Sequence, residues 1–587
     1  MPDDAGPALM KAPAKARRPR PAPPAQVSDA EDGFDEAAYL AAFPDVAQAI
    51  RRGDIGSAIE HYRLAGRVEQ RLQRPEYRRH LGRPLPEIEA RLAPGSVQPA
   101  AGPTVSLEAV ALSRSGAVFV AGWADDRQSA LAAVGLQCGA GLRWTWTRIP
   151  RVRRLDAEAA VGGSRPYQYG FWLFGSSSDM AASIARPGAE CVLEARFADG
   201  TSVAVRRMAG LCADVDLRDM AMGYLAGASY CGNRTAEVFN SLDTGAGDAL
   251  VGFNRAISHG IVGGATVSRF GPQRPRYRAS LIVPLYGIGD YLFLQNCAYA
   301  QGRGMAEYEF IYVINSPELA EQLHREARIA EMIYGLSVSL VTLPDNAGFG
   351  MANNVGVQFA RSDRILCVNP DVFPRDPDWA QRHTGMLDTL PAEQTRMFGA
   401  SLFYDDGSLM HGGMYFDLDT GIMPAAGRVA QRPLLRVEHY GKGAPPWATQ
   451  YVASRPVPAV TGAFMSIDRP WFEKLGGFTD SYVFGHYEDA DLCLKSLQAG
   501  TPVWLHDLPM WHLEGKGSRR LPQHEGGSLV NRWLFTRTWE RTLVPDLIGR
   551  NPRLAAAAVQ PEPTAPRRPA AAGRGARIRP VQAVGSK

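Results

Sequence analysis

Closely spaced cysteine pairs are absent from this sequence. The seven cysteines stand singly, none belongs to a Cys-x-x-Cys motif, and their number is odd. Such a distribution favours a reducing compartment and predicts neither a disulfide framework nor a cysteine zinc site. The seven are Cys138, Cys191, Cys212, Cys231, Cys297, Cys367 and Cys493.

Long apolar runs are lacking as well. No stretch reaches the roughly 18 apolar residues of a membrane-spanning helix, and the N-terminus MPDDAGPALMKAPAKARRPRPAPPAQ has no apolar centre typical of a secretory signal. We therefore expect a cytoplasmic protein, for which peripheral contact with the inner membrane is an option. A P-loop and a GxGxxG fingerprint are also missing from the Gly-rich stretch at 346–350.

The body of the chain has no excess of positive charge. Residues 1–27 carry five Lys/Arg against two Asp, and residues 553–587 carry seven Lys/Arg against one Glu. Subtracting these excesses of +3 and +6 from the net charge of +4 leaves residues 28–552 at about −5. A nucleic-acid-binding core is expected to have a basic face, so we expect no nucleic acid partner.

Composition and hydrophobic period divide the chain into six segments. The two ends are Ala/Pro/Arg-rich and predict disorder, because they offer little apolar surface to offset chain entropy. Between them the period changes from helical to alternating and then to strand–helix repeats. The predicted segments are a tail (1–33), a helical module (34–100), a β-sandwich (101–210), a helical connector (211–276), an α/β domain (277–550) and a second tail (551–587).

Two details refine the N-terminal segments. In the helical module, Pro44 is expected to open the second helix, and Gly53 and Gly66 are typical stop signals.

In the β-sandwich, four tryptophans could form a sugar-stacking platform, although core positions are the more usual place for this residue. They are Trp123, Trp144, Trp146 and Trp172.

The strongest fold signal begins at residue 277. Apolar strands such as ASLIVPLYG, YEFIYVINS and VSLVTLP alternate with helical segments. This alternation predicts an α/β fold, with a parallel sheet covered on both faces and right-handed crossovers. Ligands of such sheets bind outside the carboxyl ends of the strands, where the stretch ILCVNPDVFP places Asp371.

Four motifs in residues 278–518 resemble, in order, the GT-A-fold glycosyltransferases of family 2. They are SLIVPLYG, DNAGFGMANNVG, ILCVNPDVFP, and the run from VTGAFMSIDRPWFEKLGGF through GHYEDADLCLK to MWHLEGKGS. The resemblance implies a Rossmann-like, nucleotide-sugar-binding domain. It also implies an inverting hexosyltransferase of bacterial surface-polysaccharide synthesis, which uses a nucleotide-diphosphate sugar and a saccharide or lipid-linked acceptor. The helices of 34–72 resemble a short helical module that is found in such enzymes and in some secreted proteins.

The resemblance assigns a divalent cation, Mg²⁺ or Mn²⁺, to the NPD triplet. Asp371 takes the place of the family's second metal-site acid, and Asn369 replaces the first, so one negative charge is missing. His512 lies at the spacing of a third ligand, with His506 as its alternative, and a neutral imidazole suits that role. Without the other motifs, Asn-Pro-Asp is equally typical of a strand-ending turn.

The resemblance places the catalytic base in GHYEDADLCLK. Asp489 is the chosen base, because a carboxylate in the first turn of a helix is held ionised by the helix dipole. Glu488 and Asp491 are the near alternatives, which would contact the acceptor or stabilise the turn. Acidic residues also begin many inert helices.

The donor pocket is predicted from strand ends and the Gly-rich corner, where glycine lets backbone approach a nucleotide and Asn amides bond base or ribose. The acceptor side is assigned to Trp471 and Asp491, with residues 404–450 as a lid that includes His411 and His439. The family usually has Asn at the position of Gly287 and Asp near Asn315. Because this chain lacks that Asp, the sequence does not indicate which nucleobase the donor pocket binds. The predicted donor residues are Pro284, Tyr286, Asn315, Asn346, Gly348, Asn354 and Asn369.

Two function classes follow from the sequence. The first is the inverting, metal-assisted glycosyltransferase. The second is a non-catalytic saccharide-binding or scaffold protein with a degenerate GT-A domain, which the departures at Asn369 and Asn315 motivate. Retention of Asp371, Asp489 and His512 together favours the enzyme.

Overall fold

The chain divides into two compact units, Met1–His80 and Leu81–Lys587. A computed structural model describes residues 36–42, 44–52, 55–61, 104–139, 142–162, 167–176, 190–230, 235–425, 428–517 and 521–550. The predicted tails (1–33 and 551–587), Gly53 and Gly66 lie outside these residues.

The described part of the first unit consists of three short helices, α1 (Glu36–Ala42), α2 (Pro44–Arg52) and α3 (Ala58–His61). Tyr39, Val46 and Ala58 form its small core, and the Tyr39 hydroxyl lies 3.1 Å from His61 Nδ1. Pro44 opens the second helix as predicted, because its fixed φ suits a first helical position and its missing N–H has no partner to lose there.

The described part of the second unit begins with a two-sheet β-sandwich, as the alternating period predicts. One sheet has the order β5-β6-β2-β1-β9 and the other β4-β3-β7-β8, with Leu107, Val120, Leu136 and Leu193 among the buried residues between them. Trp172 is fully buried, and Trp123 and Trp144 are 8% exposed, so these tryptophans belong to cores. The elements are β1 (Thr104–Ser113), β2 (Ala117–Asp125), β3 (Leu131–Cys138), β4 (Leu142–Trp146), β5 (Arg151–Val152), α4 (Leu155–Val161), β6 (Gly170–Ser176), β7 (Glu190–Phe197), β8 (Ser202–Met208) and β9 (Gly210–Cys212).

The prediction that no cysteines pair is wrong for Cys138 and Cys191. They are directly opposite each other in the antiparallel ladder of β3 and β7, with Cα atoms 4.1 Å apart, and they form a disulfide. Their separation of 53 residues hid this proximity, because sequence spacing does not reveal which strands are neighbours.

Helices and one strand connect the sandwich to the main sheet. The helices are α5 (Asp214–Tyr230), α6 (Thr235–Leu242) and α7 (Ala246–Gly263), which agrees with a mostly helical connector. The strand β10 (Thr266–Phe270) was not expected in this segment, and it pairs with the edge of the main sheet.

The main sheet contains eleven strands within the described residues. Its first elements are β11 (Ala279–Leu285), α8 (Tyr291–Ala300), β12 (Tyr308–Ile314), α9 (Ala320–Tyr334), β13 (Ser337–Thr342), α10 (Phe349–Phe359) and β14 (Arg364–Val368). Every residue of β11, β12 and β14 is buried, as expected of strands covered on both faces. The four strands are parallel in the order β13-β12-β11-β14, the Rossmann-like order 3-2-1-4.

The rest of the sheet is mixed rather than all parallel. Its elements are β15 (Val372–Pro374), α11 (Trp379–Thr389), α12 (Ala392–Thr395), β16 (Met397–Phe403), β17 (Leu409–His411), β18 (Met414–Ala425), β19 (Arg428–His439), α13 (Thr449–Val452), β20 (Arg455–Val457), β21 (Phe464–Asp468), α14 (Arg469–Lys474), α15 (Glu488–Gln498), β22 (Val503–His512) and α16 (Pro522–Arg550). Strand β21 is antiparallel to both β14 and β16, and β22 is parallel to β16. The end of β14, the start of β21 and the end of β22 therefore meet at one edge.

The predicted α/β class, with helices at the N-terminus and an all-β sandwich, is confirmed. Within the Gly/Pro-rich segment 404–450, predicted as a lid, β18 and β19 form a long two-stranded ribbon that packs on α16. None of the described helices is both long enough and apolar enough to cross a membrane.

Candidate active site

Asp371 lies at the edge where β14 ends. The main-chain N–H of Asn369 donates to the Ala463 carbonyl (2.9 Å) and that of Val372 to the Asn369 carbonyl (3.2 Å), so the NPD triplet forms a tight turn. Asp371 is 2% exposed, and its Oδ2 accepts the N–H of Gly517 (2.9 Å). A Cβ at position 517 would lie 2.6 Å from Asp371 Oδ1, so glycine is needed for this close approach.

His512 reaches the same point from the last residue of β22. Its Nε2 is 3.4 Å from Asp371 Oδ1, and Val372 and His512 face each other in the ladder of β15 and β22. The ring is 4% exposed, and Nδ1 has no hydrogen-bond partner among the described residues. The structure thus brings the two predicted metal ligands together. No group of three His, Cys, Asp or Glu side chains suited to a metal occurs in the described part of the chain.

This donor set fits a divalent cation that takes its other ligands from phosphate oxygens or water. One carboxylate and one imidazole are acceptable ligands for Mn²⁺, and Mg²⁺ commonly takes only one or two protein carboxylates beside substrate phosphates. His506 is not at this site, since it is buried with its Nε2 2.9 Å from the Gln394 carbonyl.

Asp489 lies in the first turn of α15, half-buried. Its Oδ2 accepts the N–H of Gly462 (2.9 Å) and its Oδ1 accepts the N–H of Ala490 (2.8 Å). Gly462 immediately precedes Ala463, whose carbonyl holds the NPD turn. Two consecutive residues therefore tie the predicted base to the predicted metal turn.

Glu488 differs from its neighbour in its surroundings. It is 4% exposed, and Oε2 has no hydrogen-bond partner in the described part of the chain. Burial, together with the negative charge of Asp489, raises the pKa of Glu488 to about 8. Glu488 therefore favours its protonated form at neutral pH, and the half-buried Asp489 is the candidate proton acceptor of the two.

The side chains of the two predicted acceptor residues form hydrogen bonds within the protein. Asp491 accepts hydrogen bonds from Thr479 Oγ1 (2.6 Å) and Trp539 Nε1 (2.9 Å), and Lys495 Nζ is 3.1 Å from its Oδ2. Trp471 is 7% exposed, and its Nε1 donates to Ser496 Oγ (3.1 Å). These contacts give both side chains a structural role.

A cavity of about 470 Å³ opens beside Asp491. Thr479, Lys495 and Trp539 line it, whereas Asp371, Asp489 and His512 do not. It is therefore distinct from the predicted donor pocket.

The predicted donor residues build a corner rather than present open amides. Asn315 Oδ1 accepts the N–H of Ala347 (2.9 Å), and Asn346 Oδ1 accepts that of Gly348 (2.9 Å). Gly348 has φ 87° and ψ 166°, values that glycine alone tolerates well. A Cβ there would lie 3.0 Å from the Phe484 carbonyl oxygen.

The other predicted donor residues fall into two groups. Pro284 is buried in β11, and Tyr286 follows that strand with its ring 5.2 Å from the His524 ring. Asn354 lies away from the corner, because its amide bonds both the N–H (3.0 Å) and the carbonyl (2.8 Å) of Phe478. Its role is to fix the chain before α15.

Sequence reasoning missed Arg218, a buried cation beside this corner. Arg218 comes from α5, is 2% exposed, and lies with its guanidinium 4.5 Å from the centre of the Phe484 ring. Its Nη1 donates to the Asn346 carbonyl (3.3 Å) and its Nε to Asp219 (2.9 Å). Burial raises the pKa of Asp219 despite that guanidinium. No local pattern predicts a contact over 128 residues.

Two histidines of the predicted lid form a buried pair at the base of the β18–β19 ribbon. The Nδ1 atoms of His411 and His439 are 3.0 Å apart. Burial lowers the pKa of both, well below the usual value for His411, so the pair is neutral. Nearby, Glu514 accepts hydrogen bonds from Tyr404 (2.6 Å) and Lys442 (3.0 Å), which keep its pKa low although burial opposes this.

Comparisons with known proteins give distant likenesses. No family model matches the chain. An uncharacterised protein, y4gI, of Sinorhizobium fredii is 29% identical over 215 residues, which are 36% of this chain and 22% of that protein. The chain thus spans about a fifth of its curated relative.

Two solved structures share part of the fold at low similarity. GalNAc-T7 with UDP, GalNAc and Mn²⁺ is 15% identical, with a TM-score of 0.32, over 48% of this chain and 52% of the other. The mannosyltransferase PcManGT of Pyrobaculum calidifontis, in complex with GDP-Man and Mn²⁺, is 12% identical, with a TM-score of 0.29, over 56% of this chain and 88% of the other. At this similarity neither likeness bears on the donor, acceptor or metal of this protein.

Proposed function

We propose that the protein is an inverting glycosyltransferase of the GT-A type. It would move a sugar from a nucleotide-diphosphate sugar to a saccharide or lipid-linked acceptor in surface-polysaccharide synthesis. The observation that carries the proposal is that two metal-ligand-type side chains and a candidate general base lie at one edge of the sheet. Asp371 and His512 form one pair of ligand-type side chains, and the Gly462–Ala463 step holds Asp489 beside them.

Asp489 would act as the general base of a single displacement. The acceptor hydroxyl oxygen attacks the anomeric carbon, the bond from that carbon to the diphosphate oxygen breaks, and the hydroxyl proton passes to Asp489. The N–H groups of Gly462 and Ala490 hold the Asp489 carboxylate in position before the transfer. Glu488, which keeps its proton at neutral pH, avoids a second negative charge beside the base.

Asp371 and His512 would hold a divalent cation on the leaving diphosphate. When bound, such a cation neutralises the charge that develops on the phosphate oxygens. Asp371 Oδ2 accepts the N–H of Gly517, so Oδ1, which lies 3.4 Å from His512 Nε2, is the oxygen that would hold the cation. Asn315 and Asn346 shape the corner that faces the donor.

The test combines binding and transfer. Calorimetric titration with UDP, dTDP and GDP, in Mn²⁺ and then in EDTA, should identify one nucleotide that binds only with the metal. Asp489→Asn should lower transfer by a factor of about 10²–10⁴, the usual contribution of a general base, and leave that binding intact. Asp491→Asn is the matched control, since Asp491 lies in the same helical turn and faces Thr479 and Trp539.

A second variant tests whether Asp371 contributes to metal-dependent binding of the nucleotide. Asp371→Ala should weaken binding of the nucleotide with Mn²⁺ by about tenfold or more. Equal transfer by wild type and Asp489→Asn would refute the base assignment. Binding of glycans without nucleotide binding in either buffer would favour the scaffold alternative, for which the covered carboxylate of Asp371 is the supporting observation.

A further inference from the structure

The chain just before Asp489 has an unusual backbone. Phe484, His486 and Tyr487 have φ values of 57°, 82° and 75°, and among the described residues they are the non-glycine residues with positive φ. A side chain makes this left-handed region unfavourable, so neighbouring contacts must stabilise the conformation. Segment 483–487 leads directly into the first turn of α15.

One side chain supplies those contacts. Asn531, in the middle of α16, is completely buried, and its Oδ1 accepts the N–H of Val483 (2.7 Å). Its Nδ2 donates to the carbonyls of Val483 (2.8 Å), Gly485 (2.8 Å) and His486 (3.1 Å). A primary amide both accepts and donates in one plane, so neither a carboxylate nor an aliphatic side chain can replace it.

The segment also touches the donor corner. The Phe484 carbonyl accepts the N–H of Phe349 at the start of α10, and Gly348 packs on the Phe484 backbone. The Arg218 guanidinium covers the Phe484 ring. Segment 483–487 therefore joins the Gly-rich corner to the first turn that carries Asp489.

We propose that Asn531 is a positioning residue for the reaction. It holds segment 483–487 in its left-handed conformation and so fixes the Asp489 carboxylate relative to the donor corner. This inference rests on the proposed function and extends the active site to α16, beyond residues 278–518 whose motifs carry the family resemblance. All four of these Asn531 hydrogen bonds go to the backbone of segment 483–487.

The experiment compares two variants of Asn531 with a control on the same helix. Asn531→Asp keeps the size and the acceptor but removes the N–H donors. Asn531→Ser replaces the amide by one hydroxyl and serves if the aspartate variant does not fold. The control, Trp533→Phe, removes a different buried bond of α16, from Trp533 Nε1 to Asp243 Oδ1 (2.7 Å).

Three readouts separate positioning from stability. They are the thermal midpoint, kcat and KM for release of nucleoside diphosphate from UDP-, dTDP- or GDP-sugars, and hydrogen exchange of the peptide covering 483–487. At temperatures below the thermal midpoint of each variant, we expect kcat of both Asn531 variants to be lower than that of wild type by about 10–100-fold, as for a misplaced catalytic group. Their donor KM should change little, and exchange of the peptide should accelerate. Trp533→Phe should lower the midpoint but keep kcat.

The contrary results are distinct. If the Asn531 variants retain kcat at the level of Trp533→Phe, the positioning role is refuted. Unchanged exchange of the 483–487 peptide refutes it as well, and this readout does not require activity. If wild type releases no nucleoside diphosphate from any of the three donors, the proposed function fails, and the exchange result alone then decides whether Asn531 holds the segment.

Discussion

Glu488 offers a pH-dependent test of how the site is built. Replacement by Gln keeps the shape of the side chain and removes its ionisation. The carboxyl is 4% exposed, and burial and the charge of Asp489 raise its pKa from 4.5 to about 8. Because the unfolded chain exposes this group to water, its unfolded pKa stays near the lower value.

The sign and size of the effect follow from proton binding. Between about pH 4.5 and pH 8 the folded protein keeps a proton that the unfolded chain releases. The free energy of unfolding therefore falls as pH rises, and the contribution is complete below the lower pKa and lost above the higher one. At about 1.4 kcal/mol for each pKa unit, the difference between wild type and Glu488→Gln changes by up to about 5 kcal/mol over this window.

Urea unfolding of both proteins from about pH 5 to about pH 8 measures this difference. Glu473→Gln is the control, because it makes the same replacement at a side chain that is 55% exposed. A curve for Glu488→Gln that runs parallel to wild type would refute the burial argument. It would mean that water or a mobile group already solvates Glu488 in the folded protein.

Two further predictions concern backbone and covalent constraints. Gly348→Ala should lower the free energy of unfolding in urea by about 1–3 kcal/mol, because φ is 87° and the new Cβ meets Phe484. Gly407→Ala, with φ 84° and open space, should cost less, and equal losses would contradict the contact. Replacing Cys138 and Cys191 by Ser should cost up to about 4 kcal/mol for a loop of this length. Seven reactive thiols in the denatured, unreduced protein would instead show that this pair is not bonded.

The sequence predicted those parts of the site that depend on strand ends. The apolar period located β14, and the antiparallel partner strand brings Gly462 to the same edge as Asp371. The family resemblance grouped His512 with Asp371, and the two side chains lie together although 141 residues separate them along the chain. Such relations survive in a sequence because each strand carries its own local signal.

The functions of individual amides could not be predicted in this way. Asn315, Asn346 and Asn354 were all predicted to bind the donor, and sequence alone cannot tell a ligand contact from a bond to the protein's own backbone. The corner and segment 483–487 leave N–H and carbonyl groups that secondary structure does not satisfy. Asn531 bonds such groups of segment 483–487 from α16, a helix that carries none of the motifs. Sequence analysis therefore could not identify its role.

The shared core of the second unit has a consequence for how such proteins diversify. Residues of the sandwich such as Ala111 belong to the same apolar cluster as Trp533 of α16, and a Cβ at Gly526 of α16 would lie 1.9 Å from the Met222 carbonyl of α5. A recombination breakpoint placed by composition near residue 211 would cut through this cluster. We therefore expect recombination to exchange the sandwich, the connector helices and the sheet together. Within this unit, we expect the sequence to change by coordinated point substitutions.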